Sequence, residues 1–218
     1  MNRLSTVEPS GSLVSIPANG VKLEGELIVP SGACGVVLFA HGSGSSRHSP
    51  RNKYVAGVLQ EAGFGTLLMD LLTRQEDTVY ANRFDIDILT WRLERATQWL
   101  GEQPKSKSLP VGYFGASTGA AAALNAAASL GSTVGAVVSR GGRPDLAGDA
   151  LAQVKSPTLL IVGGLDDVVI DLNRQAYRQL NCEKKLEIVP GATHLFEEPG
   201  TLEQAARLAT RWFEKHLG

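Results

Sequence analysis

The sequence contains few of the residues that mark several large protein classes. Only two cysteines, Cys34 and Cys182, occur in 218 residues, which is too few for a disulfide framework or a cysteine-type zinc site. The 21 basic and 22 acidic residues give a net charge of -1, so we expect no bulk attraction to nucleic acid or to an anionic membrane. Apolar runs such as Gly35 to Ala40 are far shorter than the roughly 18 residues of a spanning helix.

Other absences narrow the location and the chemistry of the protein. The segment Met1 to Glu8 has one basic residue and lacks an apolar stretch, so we expect no secretory signal and, by default, a cytoplasmic location. We expect no metal and no cofactor, because the neighbours Asp166 and Asp167 lack companion ligands at metal spacing. Since no linker, repeat or long charge run interrupts the chain, residues 1–218 are expected to form a single domain.

Glycine, by contrast, is abundant: many of the 24 glycines stand at the ends of apolar runs, where a strand turns into a helix. Val21 to Pro30 alternates apolar and polar residues and follows Asn19–Gly20, which predicts an antiparallel hairpin. From Gly35 onward, continuous apolar runs alternate with helical patterns, which predicts buried parallel strands joined by helices. We therefore expect an α/β fold with a mostly parallel sheet of about eight strands and helices on both faces.

The patterns also give approximate positions for the elements. After the hairpin, strands are predicted at Gly35–Ala40, Thr66–Leu71, Pro110–Phe114, Val134–Ser139, Pro157–Val162 and Lys185–Val189. Helices are predicted at Arg51–Ala62, Phe84–Leu100, Ser117–Leu130, Asp145–Val154, Leu172–Leu180 and Thr201–Leu217. In such sheets functional residues gather in the loops at the carboxyl ends of the strands.

The segment Gly115-Ala116-Ser117-Thr118-Gly119 matches the G-x-S-x-G pattern of a nucleophilic serine and stands between a predicted strand and a predicted helix. The turn between them is so tight that side chains at the flanking positions would collide with the strand or the helix. The helix N-terminus behind the serine favours negative charge. Ser117 is therefore the candidate nucleophile, and a chance glycine–serine turn is the structural alternative.

A serine needs a base, and the base needs an orienting acid. For a nucleophile on such a turn the acid and then the histidine follow in chain order. His194 lies just after the last predicted strand and is the candidate base, whereas His216 ends the last helix. The pattern G-x-x-D-x-x-V selects Asp166 as the acid, and leaves Asp167 as a loop or helix-capping residue.

The loop His41-Gly42-Ser43-Gly44-Ser45-Ser46 follows the first buried strand. In this arrangement that loop and the residue after the nucleophile each supply one backbone N–H to the oxyanion hole. We assign these donors to Ser43 and Thr118. His41 is expected to hold the loop in place, and His48 to face solvent.

Taken together, these motifs resemble the α/β-hydrolase superfamily and, within it, the dienelactone-hydrolase-like branch. The resemblance extends from Leu23-Glu24-Gly25 to Gly191-Ala192-Thr193-His194-Leu195-Phe196. Dienelactone hydrolases use a cysteine nucleophile, and this chain has Ser117 there instead. The resemblance implies acyl transfer to water through a covalent intermediate. Since the connection between the strands ending at Ser139 and starting at Pro157 is short, we expect little or no lid.

The expected function is that of a carboxylesterase-type serine hydrolase acting on small or accessible ester substrates. A thioesterase, lactonase or phosphoester hydrolase could use the same triad, and a non-catalytic binding module is a further alternative. Four arginines fall in loops at the expected active edge, and one of them could bind a substrate carboxylate. We instead expect them to tie loops together, so none is assigned to the site. These arginines are Arg47, Arg74, Arg140 and Arg143.

Overall fold

The computed structural model describes residues 11–218. The prediction for Met1 to Glu8 lies outside the described residues. The chain opens with an antiparallel pair, β1 (Ser12–Ala18) and β2 (Val21–Ile28). Between them Asn19 and Gly20 both have positive φ, 46° and 82°, as the tight turn of a two-residue hairpin requires. The predicted hairpin is confirmed.

Six further strands complete one eight-stranded sheet. They are β3 (Val36–Ala40), β4 (Gly65–Met69), β5 (Val111–Ala116), β6 (Val134–Arg140), β7 (Thr158–Gly163) and β8 (Lys184–Val189). The strand order is β1-β2-β4-β3-β5-β6-β7-β8, and all pairs from β4 to β8 are parallel. β2 pairs antiparallel with β4. The sheet is thus mostly parallel with an antiparallel hairpin at its N-terminal edge, as predicted.

The helices are α1 (Pro50–Glu61), α2 (Arg74–Asp77), α3 (Ile86–Glu102), α4 (Thr118–Leu130), α5 (Asp167–Gln179) and α6 (Thr201–Leu217). Side chains of α3, α4 and α5 share one apolar core with the sheet, and those of α1 and α6 share another. Successive residues of a strand point to opposite faces, so Tyr113 enters the first core and Phe114 the second. Burial on both faces explains the uninterrupted apolar runs in the sequence.

Two predicted helices differ from the structure. The segment predicted as a helix at Asp145–Val154 is a 3₁₀ segment, Pro144–Gln153, interrupted at Gly148, whose φ of 53° is incompatible with a right-handed helix. α5 begins at Asp167 rather than Leu172, and Asp167 adds a favourable negative charge to its first turn.

The short α2 and the 3₁₀ segment Tyr80–Phe84 were not predicted. The sequence does contain a signal for α2. The Thr73 hydroxyl accepts from the Glu76 N–H, and the Glu76 carboxylate accepts from the Thr73 N–H, which is a capping box.

The connections determine how open the carboxyl edge of the sheet is. Between β6 and β7 lies only the 3₁₀ segment, so no sizeable lid is inserted there. Within residues 11–218, no helix is both long enough and apolar enough to cross a membrane.

Candidate active site

Ser117 stands on the tight turn between β5 and α4, with φ 50° and ψ -125°. This left-handed conformation is unfavourable for a residue with a side chain and persists only where the surroundings enforce it. A Cβ on Gly115 would lie 2.5 Å from Ala120 Cα, and one on Gly119 would lie 2.1 Å from the Ala40 oxygen. Both glycines are therefore required for the close packing of strand, turn and helix that holds Ser117 in place.

The structure brings the candidate base and acid together. His194 Nδ1 lies 2.7 Å from Asp166 Oδ2. This hydrogen bond joins the loop after β8 to the end of β7. The two loops are pressed together, since a Cβ on Gly163 would lie 2.5 Å from the Ala192 oxygen. Asp166 occupies the N-cap position of α5 but makes no capping hydrogen bond. Its carboxylate is bonded to His194 instead, and Asp167 is the first residue of the helix rather than its cap.

His194 and Ser117 line one open cavity of about 230 Å³. The His194 side chain is 39% exposed and Asp166 is 15% exposed, so the imidazole faces the cavity while its partner lies behind it. Within residues 11–218, His194 hydrogen bonds to Asp166 and not to the Ser117 hydroxyl. Such catalytic hydrogen bonds are often long before substrate binds.

The two candidate oxyanion donors also meet, in an arrangement that the sequence did not predict. Thr118 is the first residue of α4, and an N–H at that position has no partner within the helix. The Ser43 N–H donates to the Thr118 hydroxyl at 2.9 Å. An oxyanion that uses the Ser43 N–H must therefore share that N–H with the Thr118 hydroxyl or displace the hydroxyl.

His41 is buried beneath the oxyanion loop and holds it as predicted. Its Nε2 accepts from the Leu71 N–H at 3.1 Å, so its Nδ1 carries the proton and donates to the Gly42 oxygen at 2.9 Å. Burial lowers the pKa of His41, which favours the neutral form that this pair of bonds needs. The loop packs directly on the nucleophile, since a Cβ on Gly42 would lie 2.9 Å from Ser117 Cβ.

The two remaining histidines lie outside the cavity. His48 is exposed, as predicted. The His216 side chain is only 9% exposed and packs on Trp212, with ring centroids 4.5 Å apart. His216 thus packs within the last turn of α6, and burial lowers the pKa of this residue as well.

Two of the four arginines singled out in the sequence tie loops together. The Arg47 guanidinium pairs with Glu24 at 2.7 Å and with Asp70 at 3.0 Å. The Arg143 guanidinium makes two bonds to Asp145, at 2.9 and 2.8 Å. Arg74 is exposed on α2.

Arg140 differs, because it lines the cavity beside Ser117 and His194. The sequence analysis did not assign it to the site. Its position as the last residue of the buried strand β6 was the available signal, since ligands in such sheets bind at the carboxyl ends of the strands.

Comparison with known proteins gives the following relationships. The model of the dienelactone hydrolase family matches residues 23–217. A crystal structure of dienelactone hydrolase from Anabaena variabilis is 57% identical and has a TM-score of 0.94, with 97% of this chain and 100% of that chain covered.

More distant solved structures share the fold. Est1E from Butyrivibrio proteoclasticus is 17% identical with a TM-score of 0.80, covering 94% of this chain and 98% of that one. A dienelactone hydrolase-like promiscuous phosphotriesterase from metagenomic libraries is 19% identical with a TM-score of 0.78, covering 96% and 99%.

Two curated relatives, from two strains of Mycobacterium tuberculosis, are each 61% identical over 204 residues. Both bear the name of a phosphoribosyl transferase, given provisionally. The match covers 94% of this chain and 46% of each relative, so the chain spans about half the length of these relatives.

Proposed function

This chain belongs to the dienelactone hydrolase family, and on that premise we propose that it hydrolyses carboxylic esters through an acyl-enzyme on Ser117. The observation that carries the proposal is the hydrogen bond between Asp166 and His194 beside a serine held in a strained turn. Strain and close packing at one surface residue, next to an oriented imidazole, are what nucleophilic catalysis by serine needs.

In the proposed reaction Ser117 Oγ attacks the acyl carbon of the ester while His194 Nε2 takes the hydroxyl proton. The tetrahedral intermediate collapses, the bond to the alkoxy oxygen breaks, and His194 returns the proton to the departing alcohol. Water then attacks the acyl carbon, again losing a proton to His194, and the carboxylic acid leaves with Ser117 restored. Asp166 fixes the imidazole tautomer and stabilises the imidazolium.

The Thr118 and Ser43 N–H groups are the proposed donors to the oxyanion. Both lie next to Ser117, and the N-terminus of α4 adds a favourable partial charge. The Thr118 hydroxyl, which accepts from Ser43 in the free protein, must release that N–H as the oxyanion forms. Loss of one oxyanion donor typically costs about 3 kcal/mol of transition-state stabilisation.

The size of the cavity favours short or exposed acyl groups. About 230 Å³ of space opens to solvent, and the connection between β6 and β7 contains only the 3₁₀ segment Pro144–Gln153. We expect p-nitrophenyl acetate or butyrate to be hydrolysed faster than p-nitrophenyl palmitate. A clear preference for the long chain would contradict this part of the proposal.

The same residues could act on thioesters, lactones or activated phosphoesters, since the fold does not determine the substrate. The phosphotriesterase neighbour supports the shared fold alone at 19% identity. The phosphoribosyl transferase name belongs to proteins of which this chain matches 46%, so that activity is not carried over to this chain. A panel of matched esters, thioesters and lactones decides among the hydrolase classes.

The direct test is turnover of p-nitrophenyl acetate by Ser117→Ala. We expect the rate to fall to the background of the reagent, whereas Ser108→Ala, at an exposed position, should retain wild-type activity. Undiminished hydrolysis by Ser117→Ala would refute the proposal. Wild-type protein that turns over no member of the panel would favour a non-catalytic binding module.

A further inference from the structure

Arg140 is a buried cation without a hydrogen-bonding partner among residues 11–218. Arg140 is 6% exposed, and its Nε is buried without an acceptor. No carboxylate in this part of the chain lies within ion-pair distance of it. A buried charge is unfavourable unless it is paired, so the free protein leaves an interaction unmade here.

The guanidinium is nevertheless held in a defined orientation. Its central carbon lies 5.6 Å from the centre of the Phe196 ring, which is buried in the loop that carries His194. Stacking uses the face of a guanidinium, whereas its N–H donors lie in the plane. Arg140 Nε is buried, but the side chain lines the same cavity as Ser117, so its Nη donors are the ones available to a ligand there.

A second cation lines the same cavity. Arg51 extends from α1, and its side chain is 31% exposed and pairs with Glu197, which is itself 63% exposed. The other lining residues include no carboxylate. Arg140 is therefore the cation at this cavity that no carboxylate of residues 11–218 pairs with.

Arg140 remains charged at neutral pH. Burial, followed by the nearby Arg51, lowers the pKa of Arg140 to about 10, well above the working range of a hydrolase. Hydroxyl donors are also at hand, since Ser49 Oγ accepts from the Asn52 N–H at 3.3 Å and keeps its own proton to donate. Asn52 Oδ1 is buried without a partner.

We propose that Arg140, assisted by Arg51, forms an anion subsite that binds a phosphate group on the ester substrate. The inference rests on the proposed function of Ser117. Arg51 already pairs with the exposed carboxylate of Glu197, but such a surface pair is weak, so the second negative charge of a phosphate can compete for Arg51 while the first neutralises Arg140. A phosphate also presents three oxygens to the surrounding guanidinium and hydroxyl donors, which suits a cluster of this kind.

The first experiment compares three acetyl esters that share a glycerol-like alcohol: 1-acetylglycerol, 3-O-acetylglycerate and 1-acetylglycerol 3-phosphate. Released acetate gives kcat/KM for each. We expect the phosphate ester to exceed the neutral ester by ~10–100-fold, the range that charge-assisted hydrogen bonds provide, and to exceed the carboxylate ester. Equal rates for all three would overturn the subsite, and a preference for the carboxylate would overturn its assignment to phosphate.

The second experiment assigns the preference to Arg140. In Arg140→Gln the ratio of kcat/KM for the phosphate ester to that for the neutral ester should fall by ~10–100-fold. Arg140→Lys, which retains the charge but loses the planar fork, should lose less. Arg174→Gln removes the same charge from an exposed ion pair on α5 and should leave the ratio unchanged. An unchanged ratio in Arg140→Gln would contradict the proposal.

A binding measurement separates failure of the subsite from failure of the proposed catalysis. Calorimetric titration of Ser117→Ala with 1-acetylglycerol 3-phosphate needs no turnover. Binding that disappears in Ser117→Ala/Arg140→Gln supports the subsite whatever the fate of Ser117 as nucleophile. Binding of equal strength in the two proteins would overturn it. If the double variant does not fold, inorganic phosphate is titrated into the wild type and into Arg140→Gln, and the two affinities are compared in the same way.

Discussion

Two arginines of this protein are almost equally buried and yet have opposite surroundings. Arg92, on α3, is 5% exposed and donates to the Ala18 oxygen at 2.8 Å and to Glu76 at 2.5 Å. Arg140, at the end of β6, is 6% exposed and has neither a carboxylate nor a carbonyl within reach among residues 11–218. Arg92 Nε also lacks a partner, but both Nη atoms of Arg92 are bonded, whereas no hydrogen bond from the Arg140 side chain is seen among residues 11–218.

The same contrast extends beyond the arginines. Near the cavity Ser117 holds a strained backbone, and Asn52 Oδ1 and Arg51 Nε are buried without partners. Unpaired buried polar atoms occur elsewhere too, for example on Thr90 and Asn125, but near the cavity they accompany a strained residue and an open space. The comparison therefore sets an arginine that is paired within the fold against one that lines the cavity.

The largest expected effect concerns the hydrogen-bonded pair of Asp166 and His194. Asp166→Asn should lower kcat for p-nitrophenyl acetate by about 10³–10⁴-fold, because an amide cannot hold the required imidazole tautomer. Asp167→Asn is the matched control, since Asp167 begins α5 and does not contact His194. A loss of similar size in both variants would mean that the acid was assigned to the wrong aspartate.

The next effect compares the two buried arginines directly. Arg92→Met should lower the free energy of unfolding by about 1–3 kcal/mol, because Glu76 loses its partner but is partly exposed. Arg140→Met should raise it by about 1–3 kcal/mol, because the folded state no longer buries an unpaired cation. Urea denaturation at neutral pH measures both. Destabilisation of equal size in the two variants would remove the distinction between the regions.

A ligand sharpens this stability comparison. Inorganic phosphate should raise the melting temperature of the wild type, since a ligand that binds only the folded state stabilises it. Arg140→Met should lose most of that shift and Arg92→Met should keep it. A shift that survives intact in Arg140→Met would place the bound phosphate elsewhere on the protein.

The smallest expected effect concerns His41, a buried residue at the start of the oxyanion loop with both ring nitrogens hydrogen-bonded. Its folded pKa is lowered, so the unfolded chain binds more protons below the ordinary histidine pKa of about 6.5, and stability should fall as pH drops through that window. One proton contributes at most about 1.4 kcal/mol per pH unit. The slope of unfolding free energy against pH should become shallower in His41→Gln.

The pKa of His216 is lowered as well. The pH dependence of stability is therefore measured for a His216 variant beside the His41 variant. His216→Gln should remove a separate part of the slope, and the two reductions should add because the residues are far apart in the fold. An unchanged slope in His41→Gln would contradict a neutral, hydrogen-bonded His41 beneath the oxyanion loop.

The positions of the strands along the chain and the tight turn at Ser117 were predictable because local patterns determine them. Apolar runs mark strands buried on both faces, and the glycines around Ser117 mark a turn that tolerates no side chains. The break at Gly148 and the burial of His216 depend on tertiary packing, which no local pattern reports.

The sequence also does not show which partner each arginine contacts. Arg47, Arg92 and Arg140 look alike in one dimension, and only the fold determines which of them meets a carboxylate. The bond from the Ser43 N–H to the Thr118 hydroxyl joins residues 75 positions apart and is a product of the same long-range packing.

The central claim is that Ser117 is an activated nucleophile, and covalent labelling tests it most directly. The protein is treated with a fluorophosphonate, and the intact mass and the modified peptide are measured. We predict one adduct, on the peptide that contains Ser117, and none on Ser117→Ala. Labelling that persists in Ser117→Ala, or an unlabelled wild type that still hydrolyses p-nitrophenyl acetate, would contradict the account.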